Sequence, residues 1–221
     1  HYVIDLSRPL EGSFLWWPHR LLSSTWSGVD LFFVLSGFLI GGILEDQRQA
    51  VNYFQVFYLR RAYRILPAYL LNLLVFVGFP LMFPALFAGT LFTWRPLPLW
   101  SYLTLVQNLL MAAAGELAGW AVTWSLAVEE QFYLLLPVVI RFARPWLVPI
   151  LLAGVGLAPL FRHLAPNPIA AYVLPIGRCD SLFMGVLLAL LMRYRPEWAH
   201  RIAASRLLPS LALAGVALLV I

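Results

Sequence analysis

Lysine is absent from this chain, cysteine occurs once, and charged side chains make up only 11% of its 221 residues. Each shortage excludes something. A soluble domain carries about 25% charged residues, so there is too little polar surface here to cover a water-facing globule. One cysteine, Cys179, rules out an internal disulfide and a cysteine-based zinc site, and reads as a small helix residue. The patterns GxSxG, HExxH, Walker A and GxGxxG are all missing. Soluble-type hydrolase, metalloprotease and nucleotide-binding mechanisms therefore lack their signatures, and no metal site is expected. Internal repeats, low-complexity tracts and a linker long enough to separate two domains are missing as well.

What is present is apolar. Hydrophobic residues make up 62% of the chain and aromatics 15%, with a mean hydropathy of +0.83. Disorder and fibrous repeats are excluded by the same numbers, and the expected class is an all-α integral membrane protein, a polytopic transmembrane helix bundle. All fifteen basic residues are arginine, and ten acids leave a net charge of +5. These arginines lie between long apolar runs rather than in one surface stripe, so membrane topology explains them better than nucleic acid does. The chain begins with His1 and ends inside the apolar stretch Ala212 to Ile221. Residues 1–221 are accordingly expected to be a single transmembrane domain cut at both ends, and the lack of a signal peptide carries no information.

A crossing helix needs about 20 mostly apolar residues. Candidates are Trp26 to Leu44, Ile65 to Phe87, Trp120 to Ile140, Pro145 to Phe161, Tyr172 to Met192 and a truncated Leu207 to Ile221. Ser101 to Ala114 is too short and is expected to be re-entrant or interfacial. Cytoplasmic loops carry the excess of positive residues. If Ser101 to Ala114 does not cross, the arginines divide ten to five, and if it does they divide six to nine with the Arg60 to Arg64 group in the minority. The first arrangement is preferred. It places Val51 to Arg64 in the cytoplasm and His1 to Thr25 on the outer side.

An ionisable side chain near mid-bilayer costs about 2.5 to 3.5 kcal/mol on insertion scales, so each one marks a functional-site candidate. Glu129 and Glu130 lie in TWSLAVEEQFYLLLP. Helix neighbours point about 100° apart, so one faces a partner and the other a water-filled cavity. Ser125, Glu129 and Tyr133 form a polar line at fourfold spacing, with Trp124 above it. The plainer alternative is a helix-packing carboxylate neutralised by an arginine such as Arg178. Asp30, in SGVDLFFVLSGFLIGG, either caps its helix or sits where Gly37, Gly41 and Gly42 let helices approach closely. In FYLRRAYRILPAY, Arg60, Arg61 and Arg64 are three and four residues apart and can converge on one helix face. Convergent guanidiniums bind phosphate in planar, bidentate fashion, whereas scattered ones serve topology and lipid headgroups. His19, His163 and His200 have no obvious partner.

Four segments together resemble the membrane acyltransferase-3 family. GVDLFFVLSGFLI, FYLRRAYRILPAY, TWSLAVEEQFYLLLP and RCDSLFMGVLLA match in order and spacing and cover nearly the whole chain. The chain departs from the common third motif only in Ala127, where serine is frequent. The resemblance implies about six spans here and about ten in the complete family domain, each of about 20 residues. It further implies transfer of an acyl group, usually acetyl, from cytoplasmic acyl-CoA to a hydroxyl of a cell-envelope carbohydrate or glycolipid, in a bacterial inner membrane. Acyl-CoA is then a donor substrate, and no covalently bound cofactor is expected. His1 stands where the family carries its essential histidine at the outer end of the first span. Imidazole, with an unperturbed pKa of about 6.5, accepts a hydroxyl proton at neutral pH. Arg60, Arg61 and Arg64 would hold the coenzyme A phosphates. Glu129, Glu130 or Asp30 would orient the imidazole or an arginine, and Trp124, Ser125, Tyr133, Arg178 and Asp180 would support substrate or structure. The competing readings are a polytopic transporter or carrier without acyl-transfer chemistry, which should show inverted repeats, and a purely structural membrane subunit.

Overall fold

A computed structural model describes residues 26–83, 85, 97–117, 120–198 and 201. His1 and the expected span Leu207 to Ile221 lie outside them. The described residues are helical, with no strand among them. Helix α1 is Trp26–Gln47, α2 Tyr53–Met82, α3 Leu99–Leu103 and α4 Gln107–Ala114. Next come α5, Trp124–Phe142, α6, Leu147–Leu164, α7, Pro168–Val173, and α8, Pro175–Tyr194. Gly28–Gln47, Tyr53–Met82, Arg144–Leu164 and Pro168–Tyr194 are long and apolar enough to cross a membrane. Their outward faces are apolar, as lipid requires: Leu39, Leu71, Leu74, Leu152 and Leu188 are all exposed. The fold is a polytopic membrane helix bundle.

Glycine sets the closest contact. A Cβ at Gly37 would collide with the Leu182 carbonyl, one at Gly185 with the Val34 carbonyl, and one at Gly41 with Val186. Without a hydrophobic driving force between helices in lipid, such small-residue contacts are what let two backbones pack. The pairs Asp30 with Arg178, Gly41 with Val186 and Asp46 with Arg193 also show that α1 and α8 run parallel.

The direction of α5 follows in the same way. Phe33 packs on Trp124, Ser36 reaches Glu129, and Glu45 pairs with Arg144 just beyond α5, so α5 is parallel to α1. Contacts of α2 with α5 run in reverse, from Tyr53 at the Pro137 carbonyl to Arg61 beside Glu129. The segment between α2 and α5 must therefore return to the side it left. Helix α4 has only eight residues, about 12 Å of rise, and α3 five, so neither is long enough to cross. It is pinned to the bundle by a reciprocal amide pair: Asn108 Nδ2 donates to Gln131 Oε1 at 3.2 Å and Gln131 Nε2 to Asn108 Oδ1 at 2.9 Å.

Three boundaries differ from expectation. Helix α2 begins at Tyr53, not near Ile65. No breaker separates Tyr53 from Arg64, and Tyr53 and Phe57 bury themselves in the core, so Val51 to Arg64 is mostly part of the spanning helix rather than a loop ahead of it. The expected Tyr172 to Met192 span is divided at Leu174, whose extended backbone precedes Pro175 at the first turn of α8. Trp120 lies ahead of α5, behind a short 3₁₀ turn at Ala121–Thr123.

Candidate functional site

Ser36 lies ten residues from one end of α1 and eleven from the other. A 22-residue helix is about 33 Å long, close to the hydrocarbon thickness, so Ser36 is at mid-depth. A buried polar cluster is built there from three helices. The Ser36 hydroxyl of α1 and the Tyr133 hydroxyl of α5 both donate to Glu129 Oε1 and lie against each other. Arg61 of α2 brings Nη2 to 3.8 Å from the same oxygen, and its guanidinium carbon sits 3.5 Å from the centre of the Tyr133 ring. The Arg61 side chain is 13% exposed and that of Glu129 8%.

The cluster leaves hydrogen-bonding capacity unused. Arg61 Nε and Nη2 are buried with no hydrogen-bond partner, and so is Glu130 Oε1. A separation of 3.8 Å is an ion pair, not a hydrogen bond. Glu129 and Glu130 divide as their 100° offset requires, one inside the cluster and the other on the adjacent face.

Arg60 and Arg64 point elsewhere. Both are exposed, and neither has an ion-pair partner among the described residues. Arg64 opens a groove of about 400 Å³ that continues past Ala68, Tyr69 and Asn72 of α2 and is closed by Trp120, Thr123 and Ser125. Ser125 does not extend the Glu129 to Tyr133 line, because its hydroxyl bonds back to the Val122 carbonyl at 3.2 Å.

Asp30 and Arg178 form a second cluster. Arg178 Nη1 is 3.0 Å from Asp30 Oδ1, its Nε donates to the Tyr172 carbonyl at 3.0 Å, and it stacks 4.2 Å from the Tyr172 ring centre. Ser181 also donates to Asp30, at 3.3 Å. The partner of Arg178 is thus Asp30, not Glu129, and Asp30 sits inside α1 rather than capping it. Trp124 is buried between Phe33 and Tyr172, and Asp180 accepts from Arg162 Nη1 at 2.7 Å. The described side chains offer no cluster of three or more His, Cys, Asp or Glu able to hold a metal.

Sequence reading missed two groups. Ser36 was not singled out, although it is a hydroxyl at the midpoint of an apolar run. Glu45 lies one residue beyond the expected Trp26 to Leu44 span. It is buried, accepts from Arg144 Nε at 3.0 Å and from the Tyr194 hydroxyl at 2.5 Å, and ties the far ends of α1, α5 and α8 together.

Comparison with known proteins agrees with this architecture. The profile of a family described as an acyltransferase domain matches residues 4–221. The O-acetyltransferase OatA of Staphylococcus aureus is 28% identical over 216 residues, covering 88% of this chain and 34% of the relative. This chain therefore spans about a third of the length of that protein. Nodulation protein 10 of Rhizobium leguminosarum bv. viciae is 31% identical over 153 residues, 65% of this chain and 40% of the relative. No solved structure matches. With a match over almost its entire length, this polytopic helical chain belongs to the acyltransferase-3 family and is an acyltransferase domain.

Proposed function

We propose that this domain moves an acyl group, acetyl in the simplest case, from acyl-CoA to a hydroxyl of a cell-envelope carbohydrate or glycolipid. The observation that carries the reading is the state of the three arginines on α2. Two are exposed cations without ion partners among the described residues, and the third is a largely buried cation with N–H groups unused there. A cation facing lipid at this depth is costly, so an anionic or strongly polar ligand is the natural complement. Arg60 and Arg64 meet the phosphates of coenzyme A with charge-assisted hydrogen bonds. The groove beyond Arg64, walled by Tyr69 and Trp120 and dotted with Asn72 and Ser125, accommodates the uncharged arm that leads to the thioester.

The orientation belongs to the same reading. Arg48, Arg141, Arg144, Arg193 and Arg195 gather at the Glu45 end of the bundle, and Arg162 and Arg178 at the Asp30 end. By the positive-inside rule the Glu45 end is cytoplasmic and the protein is a multi-pass component of a bacterial inner membrane. Arg60 lies seven residues into α2, about 10 Å from that end, within reach of a donor entering from the cytoplasm.

His1 is the proposed base at the outer side. The acceptor oxygen attacks the thioester carbonyl, its proton passes to the His1 imidazole, and collapse of the tetrahedral adduct expels the thiolate, which takes that proton from the imidazolium to leave as coenzyme A and restore the neutral base. A relay through an acyl-histidine needs the same groups in two steps. The name of OatA, an O-acetyltransferase, supports a hydroxyl acceptor.

The test is an assay of the full-length membrane protein with labelled acetyl-CoA and candidate glycans. Label should reach a glycan or be released, and His1→Ala should abolish both while leaving the protein in the membrane. Full activity in His1→Ala would remove the catalytic assignment, and absence of any thioester turnover would favour a carrier.

A further inference from the structure

Arg61 differs from its two neighbours in being held rather than free. Two sides of its guanidinium are occupied: the Glu129 carboxylate lies along one edge and the Tyr133 ring covers one face. Neither contact consumes the N–H groups at Nε and Nη2, which are buried without an acceptor. A mobile surface arginine loses rotamer freedom when it binds. One already clamped in place has lost it beforehand, so more of its interaction energy appears as affinity.

The clamp is itself braced. Glu129 Oε1 accepts from the Ser36 and Tyr133 hydroxyls, so the carboxylate has no freedom to turn away from Arg61. Ser36 stands on α1, whose packing against α8 is fixed by Gly37, Gly41 and Gly185. Tyr133 also leans edge-on against Phe57, one turn before Arg61 on α2. The four members of the cluster are thus anchored on three helices, Ser36 on α1, Arg61 on α2, and Glu129 and Tyr133 on α5.

We infer that Ser36, Glu129 and Tyr133 are positioning residues that hold Arg61 with two hydrogen-bond donors presented to an oxygen of the acyl-CoA donor. The inference rests on the donor-site reading above and adds a division of labour to it. Arg60 and Arg64 attract the donor through charge, and Arg61 fixes its orientation through directed hydrogen bonds. Tyr133 contributes both its hydroxyl and its ring face, so the two contributions can be separated by substitution.

The test measures KM for acetyl-CoA and kcat in full-length Ser36→Ala, Tyr133→Phe, Tyr133→Leu and Arg61→Lys proteins, with thermal stability in detergent as a check on folding. Ser36→Ala and Tyr133→Phe should each raise donor KM about threefold to tenfold with kcat at saturating donor nearly unchanged. Tyr133→Leu should raise it further, because the stacking surface is lost as well. Arg61→Lys keeps the charge but not the planar fork, and should behave like Tyr133→Leu rather than like wild type. Rescue of Tyr133→Leu by Phe at the same position, but not by Met, would assign the difference to the ring. If all four variants keep the wild-type donor KM while Arg60→Ala and Arg64→Ala raise it, the clamp is packing alone and the inference fails with the donor site intact. If Arg60→Ala and Arg64→Ala leave donor KM unchanged too, the donor-site reading itself fails.

Discussion

Two arginines of this bundle, Arg61 and Arg178, have side chains that are each 13% exposed, and each stacks on a tyrosine and pairs with one carboxylate. They differ in what their nitrogens do. Arg178 spends Nη1 on Asp30 and Nε on the Tyr172 carbonyl, bonds that lock α8 to α1 and to α7. Arg61 keeps Nε and Nη2 unbonded although they are buried. Burial and charge alone thus do not distinguish a structural arginine from one poised for a ligand. On the reading proposed above, the accounting of N–H groups separates the two, because few buried donors in a folded protein stay unpaired.

The contrast is broken most directly by making the same change at both positions. Arg178→Gln should destabilise the bundle by about 1 to 2 kcal/mol, since it removes the hydrogen bonds to Asp30 and to the Tyr172 carbonyl while Asp30 stays partly exposed, and the fraction that folds keeps wild-type affinity for acetyl-CoA. Arg61→Gln should do the opposite, losing donor affinity with a smaller loss of stability, because fewer hydrogen bonds are broken. Thermal melts and donor titrations on the same preparations check both halves. Equal effects of the two changes on affinity would erase the distinction.

A smaller effect sharpens the comparison from outside both clusters. Asn108 donates to Gln131 and to the Val173 carbonyl, and Gln131 to the Leu105 carbonyl at 2.9 Å, so this amide pair holds the non-crossing segment against α5 and α7. Asn108→Ala should cost about 1 to 2 kcal/mol of stability and leave donor KM within about twofold, because RT ln 2 is only about 0.4 kcal/mol. A large rise in donor KM would mean that the α4 segment belongs to the donor site.

Much of the bundle was legible in the amino-acid order because lipid imposes a long apolar run on every crossing. The arginine tally correctly kept Ser101 to Ala114 from crossing. Helix ends were less legible. Continuous good helix formers carried α2 back to Tyr53, and Pro175 divided a run that hydropathy alone reads as one. In the cluster, Glu129 and Tyr133 were visible as a pair at fourfold spacing on one helix. Their joining to Ser36 and Arg61 was not, since which residues of α1 and α2 face α5 depends on packing between helices 93 and 68 residues away in sequence. For the same reason the alternative in which an arginine such as Arg178 neutralises the α5 carboxylates gives way to its pairing with Asp30.

The most direct measurement is the affinity of the full-length membrane protein for acetyl-CoA with Arg60 and Arg64 both changed to glutamate. These side chains are exposed and have no ion-pair partner among the described residues, so the fold should survive and the protein should insert normally. The account predicts a loss of at least about 100-fold in affinity, about 2.7 kcal/mol, that shrinks as salt is raised and screening increases. Wild-type affinity in that double variant would contradict it.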